Sequence, residues 1–164
     1  MTAINSNRAI RGPVTAVPVV AGKGVRLTAD TENNRWIVEA DETVLYEDST
    51  GVAATGETAA LSESIANFEK VAFYSEPIYG GALIRNEFDV SDLPYRFSTG
   101  SLDGNNVFIA QYNVTISTTT VTVSRSRRVT TTYAGAVTTT DLSATGSYKA
   151  PIRKIVGINR VASA

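Results

Sequence analysis

Apolar and polar residues alternate with period two along much of this chain, and that rhythm predicts strands. In GKGVRLTADTENNRWIVEAD, Val25 and Leu27 alternate with Arg26 and Thr28; after Asn33-Asn34, the positions Trp36, Val38 and Ala40 alternate with polar partners. An Asn-rich loop between two alternating runs is a hairpin signal. TVLY (43–46) adds a short strand, and EKVAFYSE (69–76) a further strand-like run. In GALIRNEFDV, Ala82, Ile84, Phe88 and Val90 fall on one face with Asn86 as the exception; LPYRFST follows, and GSLDGNN reads as a turn. NVFIAQYNVTIS (106–117) places Phe108, Ala110, Tyr112, Val114 and Ile116 on one face. TVTVSRSRRVTTT (120–132) is rich in β-branched residues, which suit a pleated surface. There Arg125 and Arg127 share parity with Val121, Val123 and Val129, so strict alternation predicts two guanidinium groups on an otherwise apolar face and Ser and Thr on the wet one. The Gly- and Thr-rich stretch 133–147 reads as a loop with one ragged strand.

Two segments break the rhythm. LSESIANFEKV sets Leu61, Ile65, Phe68 and Val71 at helical spacing. Its surroundings all alternate with period two, which favours a strand ending near Leu61, a turn or single helical turn through Ser62–Asn67, and a new strand from about Phe68. At the other end, PIRKIVGINRV carries Ile152, Val156 and Ile158 at one parity and Ile155 and Val161 at the other. A run apolar at both parities predicts a strand buried on both faces, or one packed inside an assembly. Ile152, Ile155, Val156 and Ile158, with Trp36, are therefore the candidates for core and subunit packing.

These elements predict an all-β chain: a short N-terminal β stem or hairpin module, then an antiparallel, jelly-roll-like β-sandwich head. Residues 1–13 are polar, end in Gly12-Pro13 and read as a flexible or extended arm; VTAVPVV (14–20) is extended, with Pro18 suited to an edge. The small, polar DSTGVAATGETA (48–59) places a boundary near residue 50, giving an arm at 1–13, a module at 14–49 and a head at 50–164. Two or three short strands bury too little to stand alone. Identical copies are the simplest source of cover, and a parallel homotrimer would also hide sheet edges.

Composition narrows the chemistry. The chain has 164 residues, a formal net charge of -1, no cysteine and no histidine. Thiol nucleophiles, disulfides, cysteine or histidine metal sites and Ser-His-Asp catalysis are excluded. The neutral balance argues against nucleic acid and anionic membrane as partners. No apolar run of ~18 residues predicts a spanning helix, and MTAINSNRAIRG lacks the apolar core of a secretory signal. No cofactor is expected.

Three groups of side chains remain as candidates. Glu39, Asp41, Glu42, Glu47 and Asp48 could form a glycosidase pair or an oxygen-ligated calcium site, or a solvated rim of strands; the rim is favoured, since no calcium-loop pattern accompanies them. Tyr74, Tyr79, Tyr95 and Tyr112, with Phe73 and Phe97, could make a glycan-stacking surface or fill the core; Tyr112 is assigned to the core, and Tyr79, beside Gly80-Gly81, to an exposed turn. Arg125, Arg127 and Arg128 could bind anionic sugars or wall phosphates, or pair with carboxylates at a subunit interface. Gly22-Lys23-Gly24 lacks phosphate-loop spacing and reads as a tight turn, and the sequon Asn113-Val114-Thr115 is read as chance.

ALSESIANFEKVAFYS resembles a strand-entry signature in the C-terminal domains of bacteriophage fibre and receptor-binding proteins: Leu-Ser-x-Ser, then Ala-Asn-aromatic, then an aromatic-rich strand. PIRKIVGINRV resembles their terminal strand, an Ile-x-Lys-Ile-x-Gly-x-x-Arg pattern, and PVVAGKGVRLTADTENNRWIVEADETVLYED resembles an N-terminal module of head or tail fibres. Together these cover most of the chain. The resemblance implies a homotrimer whose arm (Asn5, Asn7, Arg8 and Arg11 as anchor candidates) holds a capsid or tail protein. The head is expected to meet host surface carbohydrate, with Tyr74, Tyr79, Tyr95 and Arg125 as ligand candidates. The chain has almost no shaft, so a short capsid-mounted fibre is as apt as a tail tip. A decoration or joining protein that binds no host ligand, and a carboxylate-based polysaccharide hydrolase, are the competing readings.

Overall fold

In a computed structural model, residues 10–11, 25–78, 80–142 and 150–161 are described. They form antiparallel sheets, with one 3-10 turn at Ile65–Asn67 and no α-helix among the described residues. The first sheet has three strands and contains a hairpin. β2 (Val25–Asp30) and β3 (Arg35–Ala40) pair around residues 31–34, and β1 (Ile10–Arg11) pairs with the free side of β3. The Asp30 carboxylate holds the turn: it accepts from Asn33 N at 3.2 Å and from Arg35 Nε at 2.7 Å. The part of the expected arm at Ile10–Arg11 is thus a strand. Asn5, Asn7, Arg8, the 14–20 stretch and Gly22-Lys23-Gly24 lie outside the described residues.

β4 runs from Glu42 to Val52 in a single 11-residue strand. The expected boundary near residue 50 falls inside it, and TVLY is its opening half. The reason is pairing: Thr43 to Val52 are laddered along β12 (Ile152–Arg160), with partners 100 to 114 residues apart in sequence, so 43–49 belong to the head sheet. That sheet is ordered β4-β12-β6-β7, with β6 at Phe68–Ser75 and β7 at Ile84–Asp89. The apolar last strand lies at its centre, hydrogen-bonded on both sides. Gly51 is required where β4 bends: its φ is +68°, and a Cβ there would meet the Ile152 carbonyl oxygen at 2.5 Å.

The facing sheet is a meander. β8 (Tyr95–Asp103), β9 (Asn106–Ser117), β10 (Thr120–Thr132) and β11 (Val137–Asp141) are successive neighbours, and β5 (Thr58–Ala60) shares the far side of β10 with β11. Four consecutive strands side by side differ from the expected jelly-roll winding, whose Greek keys exchange strands between sheets. The turn expected over GSLDGNN is shorter than GSLDGNN itself: β8 continues to Asp103. Between β5 and β6 the ambiguous segment resolves as read, with the 3-10 turn capped by Ser64, whose side chain accepts from Ala66 N.

The two sheets close on one core, the arrangement of a β-sandwich. Leu45, Val71, Phe73, Ile152 and Ile155 from one sheet pack with Tyr95, Phe97, Tyr112, Val114, Val121 and Val123 from the other. Phe73 stacks on Phe97 at 5.2 Å between centroids, and Phe97 on Tyr112 at 5.1 Å. Each fully buried aromatic or branched side chain contributes about 1.5–3 kcal/mol of transfer free energy, so this seam is what holds the sheets together. Ala82 precedes β7 and is exposed, whereas Ile84, Phe88 and Val90 are half-buried as expected.

Candidate functional site

The site is built by a β-bulge. Along β9 and β10 the register runs Val114 to Val123 and then Asn113 to Arg125, so Ser124 is an extra residue. A bulge re-aims every side chain that follows it. Val121 and Val123 are fully buried, and after the bulge the inward position passes to Ser126, also fully buried. Arg125 and Arg127 therefore lie on the outer face, not on the apolar face that strict alternation predicted. Ser124 Oγ donates to the Asn113 carbonyl oxygen at 2.9 Å, and Ser126 N donates to Thr55 Oγ1 at 2.9 Å, so the distorted backbone keeps its partners.

Two cross-strand rows result. Arg96 of β8, Asn113 of β9 and Arg125 of β10 form one; Ser98, Gln111 and Arg127 form the next, which continues to Asp141 of β11. Arg96, Asn113, Arg125, Ser98, Gln111 and Arg127 line an open groove of about 510 Å³. Phe97 and Tyr112 also border it, but these residues are buried with their rings stacked in the core. Arg127 Nε donates to Gln111 Oε1 at 2.6 Å. Asn113 Oδ1 is shielded from solvent and has no hydrogen-bond partner among the described residues. No carboxylate lines the groove among the described residues. Three guanidinium groups, two amides and a hydroxyl can grip an acidic group and hydrogen-bond its surroundings.

The other candidates separate. Tyr95, expected to meet ligand, is fully buried; its hydroxyl donates to the Val90 carbonyl oxygen at 2.9 Å, and burial raises its pKa to about 12. It is a core residue because β8 begins on the inward parity. Tyr112 is core as read, its hydroxyl donating to the Ala150 carbonyl oxygen, and burial raises its pKa above the ordinary tyrosine value. Tyr79 lies outside the described residues. Tyr74 is on the outer face of the other sheet, where it accepts from Arg85 Nη1 at 2.9 Å and borders a shallow cavity with Val44, Leu83 and Val156. Among the described residues, no exposed aromatic ring lines the groove beside the arginines.

The acidic stretch does not converge. Glu42 pairs with Arg85 at 2.9 Å and Glu47 with Lys154 at 3.5 Å, Asp41 Oδ2 accepts from Arg160 N at 2.7 Å, and Asp48 Oδ1 caps Thr50 and Gly51. Those two backbone N–H groups hold the Asp48 carboxyl below its usual range. No group of acidic residues placed to hold a metal ion occurs among the described residues.

Arg96 and the amide pair Gln111 and Asn113 were missed in the sequence. Their signal was present as polar positions between the buried ones of β8 and β9, but only the ladder shows that they meet Arg125 and Arg127. No protein-family model matches this chain, and no curated protein matches it.

Proposed function

We propose that this chain is a virion structural protein, a short trimeric fibre whose sandwich head adheres to carbohydrate on a bacterial host surface. The observation that carries the reading is the arginine groove on the outer face of the meander sheet: a concave, polar, cationic site on a rigid β scaffold. Its cations, amides and hydroxyl support binding in preference to hydrolysis by a carboxylate pair. The N-terminal arm serves as the anchor on a capsid or tail protein, and the virion surface is the location, after synthesis in the host cytoplasm; both follow from the fibre resemblance.

The trimer is supported by the opposite face. Val44 and Leu83 are 44% and 43% exposed beside half-buried Tyr74 and buried Val156, apolar side chains set among Glu42, Glu47 and Lys154 on the outside of the β4-β12-β6-β7 sheet. Three copies meeting there would place three grooves on one particle and gain avidity without new contacts. Labelled protein incubated with cells of the bacterium that supports the virus tests adhesion, and light scattering on the eluting protein tests the trimer. Intact particles whose fibre binds no susceptible cell would favour a decoration or joining role.

A further inference from the structure

We propose that the groove is a subsite for an acidic saccharide: a sugar unit that carries a carboxylate or phosphate alongside free hydroxyls. The inference deepens the adhesion reading and rests on it for its biological setting.

Three observations combine. First, the groove arginines differ from others on this surface. Arg35, Arg85, Arg153 and Arg160 each have a carboxylate partner within the chain. Among the described residues, Arg96 and Arg125 have no hydrogen bond or ion pair, and Arg127 is held by an amide, Gln111 Oε1. Second, Arg96 and Arg125 stand on either side of Asn113 in one row, two strand spacings or about 10 Å apart at the backbone. Long side chains at that separation converge on one anion above Asn113, and a guanidinium fork matches the paired oxygens of carboxylate or phosphate. Third, Asn113 Oδ1 is a shielded acceptor without a donor. A buried acceptor left so costs about 1–3 kcal/mol, and a bare carboxylate offers it no hydrogen. A sugar hydroxyl next to the acid group does, once the amide turns Oδ1 toward the groove.

The second row, about 7 Å further along the strands, offers Ser98 and Gln111 for more hydroxyls. Both rings that border the groove, Phe97 and Tyr112, are buried in the core, so recognition is by charge and hydrogen bonding. That also disfavours single-stranded nucleic acid, which needs aromatic faces for its bases.

The test is calorimetric titration of the full-length protein with three probes: an oligogalacturonate, a glycerol-phosphate oligomer and a neutral galactose oligomer of matched length. An oligonucleotide serves as control. At least one acidic probe binds and the neutral one does not; which acidic probe binds identifies the acid group. Arg96→Ala, Arg125→Ala and Arg125→Lys each weaken binding by about ten-fold or more, the last because it keeps the charge and loses the fork. Asn113→Ala weakens the acidic saccharide by a larger factor than it weakens acetate, a carboxylate without a hydroxyl, which is titrated as a further probe. The inference is overturned if the neutral probe binds as tightly as the acidic ones, if neither acidic probe binds, if folded arginine variants retain full affinity, or if the oligonucleotide binds best. Host-cell adhesion that survives the Arg96→Ala/Arg125→Ala pair also overturns it and leaves adhesion standing. Absence of adhesion by the unmodified protein removes the adhesion reading, while the titration still decides the ligand chemistry.

Discussion

Arg125 faces Asn113 across the β9–β10 ladder because one residue, Ser124, is left out of the pairing. In an unbroken ladder Ser124 would oppose Asn113, and Arg125 would oppose Tyr112, whose ring is in the core. The groove and the buried seam are thus two consequences of one irregularity.

Deleting Ser124 closes the ladder with Arg125 still opposite Asn113 and Ser126 still opposite Tyr112, because Arg125 takes the place that Ser124 vacates. The expected result is a folded protein that loses about 1 kcal/mol, the bond to the Asn113 carbonyl, read in urea melts. Ser124→Ala loses the same bond and should melt alike. A loss of more than about 3 kcal/mol on deletion, the scale of an uncompensated buried charge, would show Arg125 turned inward and contradict the bulge account.

Gly157 lies under the Phe68 ring: a Cβ on Gly157 would approach its carbons at 2.6 Å, and Phe68 is itself buried. Gly157→Ala should destabilise by about 1–3 kcal/mol through overpacking. Adding Phe68→Leu should restore part of that loss, a coupling that a double-mutant cycle measures. Additive losses would show that the two residues do not meet.

Tyr95 and Tyr112 govern stability in alkali. Burial lifts Tyr95 to about 12 and raises Tyr112 as well, both above their unfolded value near 10. The folded state then holds protons that the unfolded chain releases, so stability falls as pH rises. The contribution is complete below pH ~10 and declines by about 1.4 kcal/mol per pH unit per tyrosine above it. Melts at rising pH should show this slope, and Tyr112→Phe should flatten it. A slope unchanged in Tyr112→Phe would remove this tyrosine from the explanation.

Ile155 and Val44 separate the core from the outer patch. Ile155 is fully buried between the sheets, so Ile155→Ala should cost about 2–5 kcal/mol. Val44 is 44% exposed on the outer patch, and if the proposed trimer meets there, Val44→Lys should leave each head folded and yield monomers by light scattering. A trimer that persists with Val44→Lys would move the interface elsewhere.

Period-two alternation determined the strands themselves: the inward set Phe108, Ala110, Tyr112, Val114 and Ile116 and the two-faced closing strand were both legible, since local sterics and burial repeat at that period. What it could not determine was phase across an irregularity. A bulge adds a residue with no mark in the apolar pattern, so the outward turn of Arg125 and Arg127 was settled by the β9 register. The same happens at the C-terminus: the ladder skips between Ile152 and Lys154, which lets Ile152 and Ile155 share the core while Val156 packs with Ala72 on the outer side. Long-range pairing also decided where the head begins, because β4 is recruited by a strand from the far end of the chain. Local sequence sets which residues prefer to be extended; which neighbours they meet is a property of the closed sheets alone.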